Sequence, residues 1–97
     1  MKTITLHLTG GAAAVTGIKQ FSLTLPETAT YLDVIAEMGK AQPALIGLVI
    51  DQDGKSMLSS NMFIVNGKEF ILPGMWDLLP ADGDILTLFS PATGGEF

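Results

Sequence analysis

The sequence contains no cysteine among its 97 residues. Disulfide bonds, thiolate nucleophiles, zinc sites with cysteine ligands and iron–sulfur clusters are therefore excluded. Arginine is absent as well, which removes the side chain that binds carboxylates and phosphates through two parallel hydrogen bonds. Any chemistry of this chain has to use other groups.

Positive charge is scarce. Five lysines stand against ten acidic residues, which leaves a net charge of −5 at pH 7. Nucleic-acid binding relies on cationic side chains that neutralise phosphates, so we expect no nucleic-acid partner. A negative charge instead favours a basic protein partner.

Long apolar runs are also missing. No stretch approaches the roughly 18 uninterrupted apolar residues of a membrane helix, so we expect no membrane partner. Residues 1–10, MKTITLHLTG, alternate and lack the continuous apolar segment of a signal peptide. We therefore expect a cytoplasmic protein with a single globular core.

Two segments near the start, 2–9 and 18–25, alternate between apolar and polar side chains, as half-buried strands do. Residues 10–17, GGAAAVTG, are predicted to be a turn region of small residues that joins these strands into an antiparallel hairpin. Pro26 has no N–H for a ladder and ends the second strand.

A helix is predicted over about 30–41. Thr30 can cap it, and Asp33 follows three residues later in a capping-box arrangement. Apolar residues recur inside the segment at helical spacing, namely Leu32, Ile35 and Ala36. This helix is expected to cover one face of the sheet.

The second half contains three more strand patterns, at 61–65, 68–72 and 85–89. Asn66-Gly67 joins the first two, and both residues tolerate positive φ, as hairpin turns require. Residues 44–60 are compatible with a short strand or an extra helical turn. Residues 73–84 are expected to form a loop, which can hold one turn of helix near 75–79. The predicted fold class is α+β, with a mixed sheet of four or five strands packed on one main helix.

This order resembles the β-grasp, or ubiquitin-like, fold. The C-terminal half resembles its small sulfur carriers, the MoaD/ThiS-like proteins, which include the small subunit of molybdopterin synthase. Three features carry the resemblance: Asn66-Gly67, Asp82-Gly83-Asp84 before the last strand, and Gly94-Gly95 after a proline-containing extension. The resemblance implies a β-grasp domain over 1–89 and a flexible C-terminal tail over 90–97.

In MoaD/ThiS-like proteins the chemistry takes place on the carboxylate of the terminal glycine. The resemblance implies that this group belongs to Gly95, preceded by Gly94, and that an E1-like enzyme adenylates it with ATP. Sulfur then replaces the adenylate, and the resulting thiocarboxylate serves a sulfur acceptor enzyme in cofactor or metabolite biosynthesis. The chain would be a protein co-substrate and not an enzyme, or a non-catalytic subunit of a molybdopterin-synthase-like complex. It would hold no permanent cofactor or metal, since ATP belongs to the activating enzyme.

The tail has residues that suit a narrow channel. Glycines lack a Cβ and fit closely in extended form, Pro91 stiffens the approach and Thr93 is small. Glu96 and Phe97, however, leave Gly95 as an amide that cannot be adenylated. Because related precursors carry extra residues that a metalloprotease trims, we expect cleavage between Gly95 and Glu96.

One face of the last strand is a candidate partner surface. Alternation within 85–89, read in the family register, places Leu86 and Leu88 in the core. Ile85 and Phe89 then lie on the face without a helix, where exposed apolar side chains indicate a binding surface. The residues expected to bind partners are Phe89, Ile85, Pro91 and Thr93.

Other interpretations fit the same residues. Gly95 could form an isopeptide bond with lysines, as in a protein modifier, or the domain could be a non-covalent β-grasp binding module whose tail is never activated. Paired glycines also occur at disordered ends without function. Ile85 and Phe89 could equally be packed beneath a loop.

Overall fold

The computed structural model describes residues 1–58, 61–72 and 74–89. Its strands and helices follow one another as β1 (Lys2–Leu8), α1 (Gly10–Thr16), β2 (Gln20–Leu25), α2 (Tyr31–Ala41), a 3-10 turn (Pro43–Leu45), β3 (Met62–Val65), β4 (Glu69–Ile71) and β5 (Ile85–Phe89). The five strands form one mixed sheet in the order β2-β1-β5-β3-β4. The predicted α+β β-grasp architecture is therefore confirmed, with five strands.

The sheet has its last strand in the middle. β5 runs parallel to β1, with Leu6 opposite Leu86 and Leu8 opposite Leu88. It runs antiparallel to β3, which in turn pairs with β4. β1 and β2 form the predicted antiparallel pair. Because the inward residues of β1 and β5 are fully or almost fully buried, these two strands form the centre of the core.

The prediction of a turn at residues 10–17 is wrong, because this segment forms helix α1. Alanine has the highest helix propensity, and three alanines in succession outweigh the glycines that precede them. Gly17 ends the helix in the left-handed conformation, with φ of 70°, and its N–H donates to the carbonyl of Ala13. The sequence did not predict this helix, because it buries only Ala12 and therefore shows no apolar periodicity.

Helix α2 begins where predicted and has the predicted capping box. The Thr30 hydroxyl accepts from the N–H of Asp33, and the Asp33 carboxylate accepts from the N–H of Thr30 at 2.8 Å. The buried stripe is shifted by one residue from the expected one. It consists of Tyr31, Val34, Ile35, Met38 and Gly39, whereas Leu32 is exposed.

Two uncertain segments now have defined structures. Of the alternatives for 44–60, the helical turn forms, as the 3-10 turn at Pro43–Leu45, and a loop follows it. The loop predicted over 73–84 is confirmed for its described residues. Near 75–79 it holds successive reverse turns and not a helical turn: Met75 donates to the carbonyl of Leu72, and Leu78 to that of Met75.

The two turn motifs of the resemblance contact each other. Asn66 and Gly67 both have positive φ, 52° and 73°. The Asn66 side chain accepts from the N–H of Ile85 at 2.9 Å and donates to the Asp84 carboxylate at 3.1 Å. Asp82 accepts from the N–H of Thr3 at 2.7 Å. The hairpin, the turn before β5 and strand β1 are thereby held in one register.

Lys2 is the one lysine buried within the described residues, with 2% of its surface exposed. Its ammonium donates to the backbone carbonyls of Glu27 (3.0 Å), Ala29 (2.8 Å) and Pro80 (2.8 Å). All three of its hydrogens are therefore matched by acceptors. This side chain joins the start of β1 to the loop before α2 and the loop before β5.

We predict that Lys2→Met lowers the free energy of unfolding by about 2–4 kcal/mol, because it leaves buried carbonyls without a donor. The matched control is Lys19→Met at an exposed position, which should change stability by no more than about 0.5 kcal/mol. Chemical denaturation measures both. Equal losses from the two substitutions would contradict the role given to Lys2.

Candidate functional site

The candidate site is the face of the sheet that carries no helix, together with the end of β5. Strand alternation and the observed register place one set of side chains on this open face: Thr3, Thr5 and His7 from β1, Gln20, Ser22 and Thr24 from β2, Met62 and Ile64 from β3, Phe70 from β4, and Ile85, Thr87 and Phe89 from β5. The opposite face holds the core under both helices.

The open face is divided into an apolar and a polar half. Exposed hydrophobic side chains lie on the strands from β5 to β4, with 40% of Ile85, 46% of Phe89 and 57% of Phe70 accessible. The half formed by β1 and β2 carries mainly threonine and other hydroxyl or amide side chains. The predicted exposure of Ile85 and Phe89 and the burial of Leu86 and Leu88 are confirmed.

No Asp, Glu or Lys occupies any of these open-face positions, although the chain carries a net charge of −5. The acidic side chains among the described residues lie on loops, helices and the helix side of the sheet. A partner that binds the apolar half would therefore gain from removing nonpolar surface from water. The net charge acts on the approach of a partner and not through contacts on this face.

The end of β5 is firmly held. Phe89, the last residue that the structure describes, pairs with Met62 at the start of β3. On the other side, the Thr9 hydroxyl donates to the carbonyl of Leu88 at 2.7 Å. Whatever follows Phe89 thus starts from a strand that is fixed on both sides, at the border of the apolar half.

The remaining predicted site residues lie outside the described residues. They are the carrier residue Gly95 with Gly94, the cleavage residues Gly95 and Glu96 with Phe97, and the expected channel contacts Pro91 and Thr93. Their roles stay predictions, as does the division of the chain into a domain over 1–89 and a tail over 90–97.

Other kinds of site find little support in the part of the chain that the structure describes. Its histidine and acidic side chains form no group of three that could bind a metal ion. Its helices are also too short or too polar to cross a bilayer. The open face and the end of β5 are therefore the features to compare with known proteins.

No family model matches the sequence, and no curated protein matches it either. Solved structures do match. Small archaeal modifier protein 1 from Haloferax volcanii superimposes with a TM-score of 0.80 at 27% identity, over 96% of this chain and 99% of that one. A putative molybdopterin converting factor subunit 1 from Pyrococcus furiosus gives 0.69 at 23% identity, over 95% and 100%. Urm1 from Trypanosoma brucei gives 0.68 at 19% identity, over 97% and 96%.

These matches confirm the resemblance at the level of the fold: the chain has the ubiquitin-like β-grasp architecture of small archaeal modifier protein 1, which the converting factor subunit and Urm1 share. The alignment covers almost the whole of every chain compared, so the likeness is not confined to one motif. The β-grasp assignment therefore rests on the complete fold. The two more distant structures add support for the fold alone.

Sequence reasoning missed two parts of this site. The first is Phe70, which is more exposed than Ile85 or Phe89. The predicted hairpin at Asn66-Gly67 could have revealed it, because pairing across this turn places Phe70 opposite Ile64 on the same face. The second is the hydrogen bond from Thr9 to Leu88. No pattern in the sequence could have predicted it, because it joins residues 79 positions apart.

We predict that substitutions at two adjacent residues of β5 lower stability to very different extents. Leu88→Ala should cost about 2–5 kcal/mol, because it removes a fully buried side chain and leaves a cavity. Phe89→Ala should cost about 1 kcal/mol or less, since nearly half of that side chain is already in water. Thermal or chemical unfolding of both variants measures this; a larger loss for Phe89→Ala would contradict the assignment of faces.

Proposed function

We propose that this chain is a ubiquitin-like sulfur carrier made in precursor form. Cleavage after Gly95 removes Glu96 and Phe97 and frees the carboxylate of Gly95. An E1-like enzyme then adenylates this carboxylate, and conversion to a thiocarboxylate prepares it to deliver sulfur in cofactor or metabolite biosynthesis. The protein is a co-substrate of other enzymes in this proposal, and ATP is bound by the activating enzyme.

The observation that carries the proposal is the position of β5. Its end is fixed between β1 and β3 beside an exposed apolar surface, and Gly95 follows Phe89 by six residues. Six extended residues reach at most about 20–22 Å. A partner seated on Ile85 and Phe89 would therefore need its nucleotide site within about this distance of the end of β5.

The chemistry requires a free carboxylate. An oxygen of the Gly95 carboxylate attacks the α-phosphorus of ATP, and pyrophosphate leaves. A sulfur nucleophile then attacks the acyl carbon of the adenylate. AMP leaves together with the oxygen that came from the carboxylate, so the sulfur remains on the acyl group. This route explains how a chain without cysteine can carry sulfur, because the acyl carbon and not a thiol is the carrier.

Three kinds of partner follow from the proposal. A metalloprotease trims the precursor between Gly95 and Glu96. The E1-like enzyme and the sulfur acceptor enzyme bind in turn to the apolar half of the open face, with Ile85 and Phe89 as anchors and Pro91 and Thr93 within the channel. Because both enzymes would use one surface, they could not bind the same molecule at once, and activation and delivery would take place in separate encounters.

A protein modifier is the second candidate. The support for it is the similarity to small archaeal modifier protein 1, which has the higher identity among the structures compared above. Activation by adenylation is common to both functions. They differ only in the group that then attacks the activated acyl carbon, which is sulfur in one case and a lysine amine in the other. Blotting cells for larger covalent conjugates distinguishes them, because a pure carrier forms none.

We expect a chain that ends at Gly95, incubated with ATP, an E1-like enzyme and sulfide, to gain about sixteen mass units as sulfur replaces oxygen. The full chain ending at Phe97 is the matched control and should stay unchanged, since its Gly95 is an amide. Intact-protein mass spectrometry reads both. If neither chain is converted by an enzyme that converts a known carrier, the acyl-activation mechanism is wrong.

We also expect Phe89→Ala, in the chain ending at Gly95, to lower kcat/KM for adenylation about tenfold, because it removes a hydrophobic anchor of the interface. Leu32→Ala is the control, since Leu32 is exposed to a similar extent but lies on helix α2. Pyrophosphate release measures the rate. Equal rates for the two variants would remove the open face from the proposal.

A further inference from the structure

A groove lies beside the edge strand β4, on the helix side of the sheet, and meets the apolar half of the open face at Phe70. Its volume is about 620 Å³. The lining combines strand β4 with the loop before β5 and one helix residue: Tyr31, Glu69, Ile71, Met75, Leu78 and Leu79, with Phe70 at its border. The proposed carrier function leaves this groove without a role.

The wall formed by the loop is fixed in place. The first N–H groups of helix α2 donate to it, Tyr31 to the carbonyl of Leu78 and Leu32 to the carbonyl of Trp76, each at 3.0 Å. The ring of Trp76 also contacts Phe63 edge-on, with 6.0 Å between ring centres. The groove is therefore formed before any ligand arrives, which lowers the entropic cost of binding.

β4 is the last strand of the sheet, with β3 as its one neighbour among the described residues. Half of its backbone N–H and carbonyl groups therefore point outward, where an added strand can pair with them. Exposed apolar side chains flank this edge: Phe70 is 57% accessible, Leu79 56% and Leu78 47%. The edge thus combines free backbone groups with nonpolar surface.

The groove is acidic, in contrast to the open face. Among the described residues, Glu69 lines it and no lysine does. Burial raises the pKa of the Tyr31 hydroxyl, and the nearby carboxylates of Asp84 and Glu69 raise that pKa further. Tyr31 therefore stays neutral at physiological pH, and the negative charge of the groove is not offset by any residue of its lining.

We propose that the edge of β4 binds an extended, basic segment of a partner protein as an added sixth strand. Strand alternation directs Glu69 and Ile71 to the helix side and Phe70 to the open face. A segment paired with β4 places a Lys or Arg beside Glu69 and an apolar residue beside Phe70. A second copy of this chain is a poorer occupant, because both copies carry a net charge of −5 and the same acidic groove.

This inference does not depend on activation of Gly95. The test is an NMR titration of the full chain with a heptapeptide of alternating valine and lysine, with the heptapeptide of alternating valine and glutamate as control. Saturable shifts of backbone amides in Glu69–Ile71 and in residues 75–79, seen for the lysine peptide alone, are the expected result. Shifts confined to β2 or to β5, equal binding of both peptides, or no binding would overturn the proposal.

Two charge reversals refine the test. Glu69→Lys should weaken binding of the lysine peptide about tenfold, because it places like charges side by side. Glu37→Lys changes the net charge by the same amount on helix α2, away from the groove, and should change the affinity less than about twofold. Equal weakening by both variants would show attraction to net charge only and overturn the site. Dimerisation without peptide, measured by sedimentation, would identify a second copy as the occupant and contradict the proposal.

Discussion

The position of β5 at the centre of the sheet is the constraint on which the rest of the molecule depends. This strand pairs with β1 on one side and β3 on the other, and it joins the N-terminal hairpin to the C-terminal one. Its inward residues Leu86 and Leu88 are completely buried. The last part of the chain therefore completes the core, and whatever follows Phe89 begins from a rigid support.

The polar contacts around β5 serve the same purpose. The Asn66 side chain accepts a hydrogen bond from the first N–H of the strand, that of Ile85. The Thr9 hydroxyl donates to the carbonyl of Leu88 near its end. Lys2 ties the loop before β5 to the loop before α2 through three carbonyls. Such contacts fix the register of the central strand, so that Ile85 and Phe89 face outward and cannot exchange with the core residues between them.

This arrangement separates three tasks over the surface of a small domain. The helix side supplies stability, and the open face supplies neutral apolar contact. The charged side chains of the described residues lie off the open face, and one of them, Glu69, lines the groove beside β4. In the proposed function the reactive group is a backbone carboxylate, which explains why a chain without cysteine and arginine is sufficient: the activating enzyme provides the catalytic side chains.

The sequence predicted those features that depend on local rules. The capping box at Thr30 and Asp33, the positive φ values at Asn66-Gly67 and the alternation in β5 each require neighbours a few residues away, and each was found. Helix α1 was missed because it packs through a single alanine and has no apolar stripe. The burial of Lys2 and the bond from Thr9 were missed because their partners are brought close only by the complete fold. The functional role of Gly95 rests on the resemblance that the motif and its spacing carry, because Gly95 lies outside the described residues.

The central claim is that the chain works through a carboxylate exposed by cleavage after Gly95. Intact-mass analysis of the protein recovered from cells that make it tests this most directly. The account predicts a mass that ends at Gly95, with a fraction heavier by about sixteen units where oxygen has been replaced by sulfur. Recovery of functional protein that always retains Glu96 and Phe97 would contradict it.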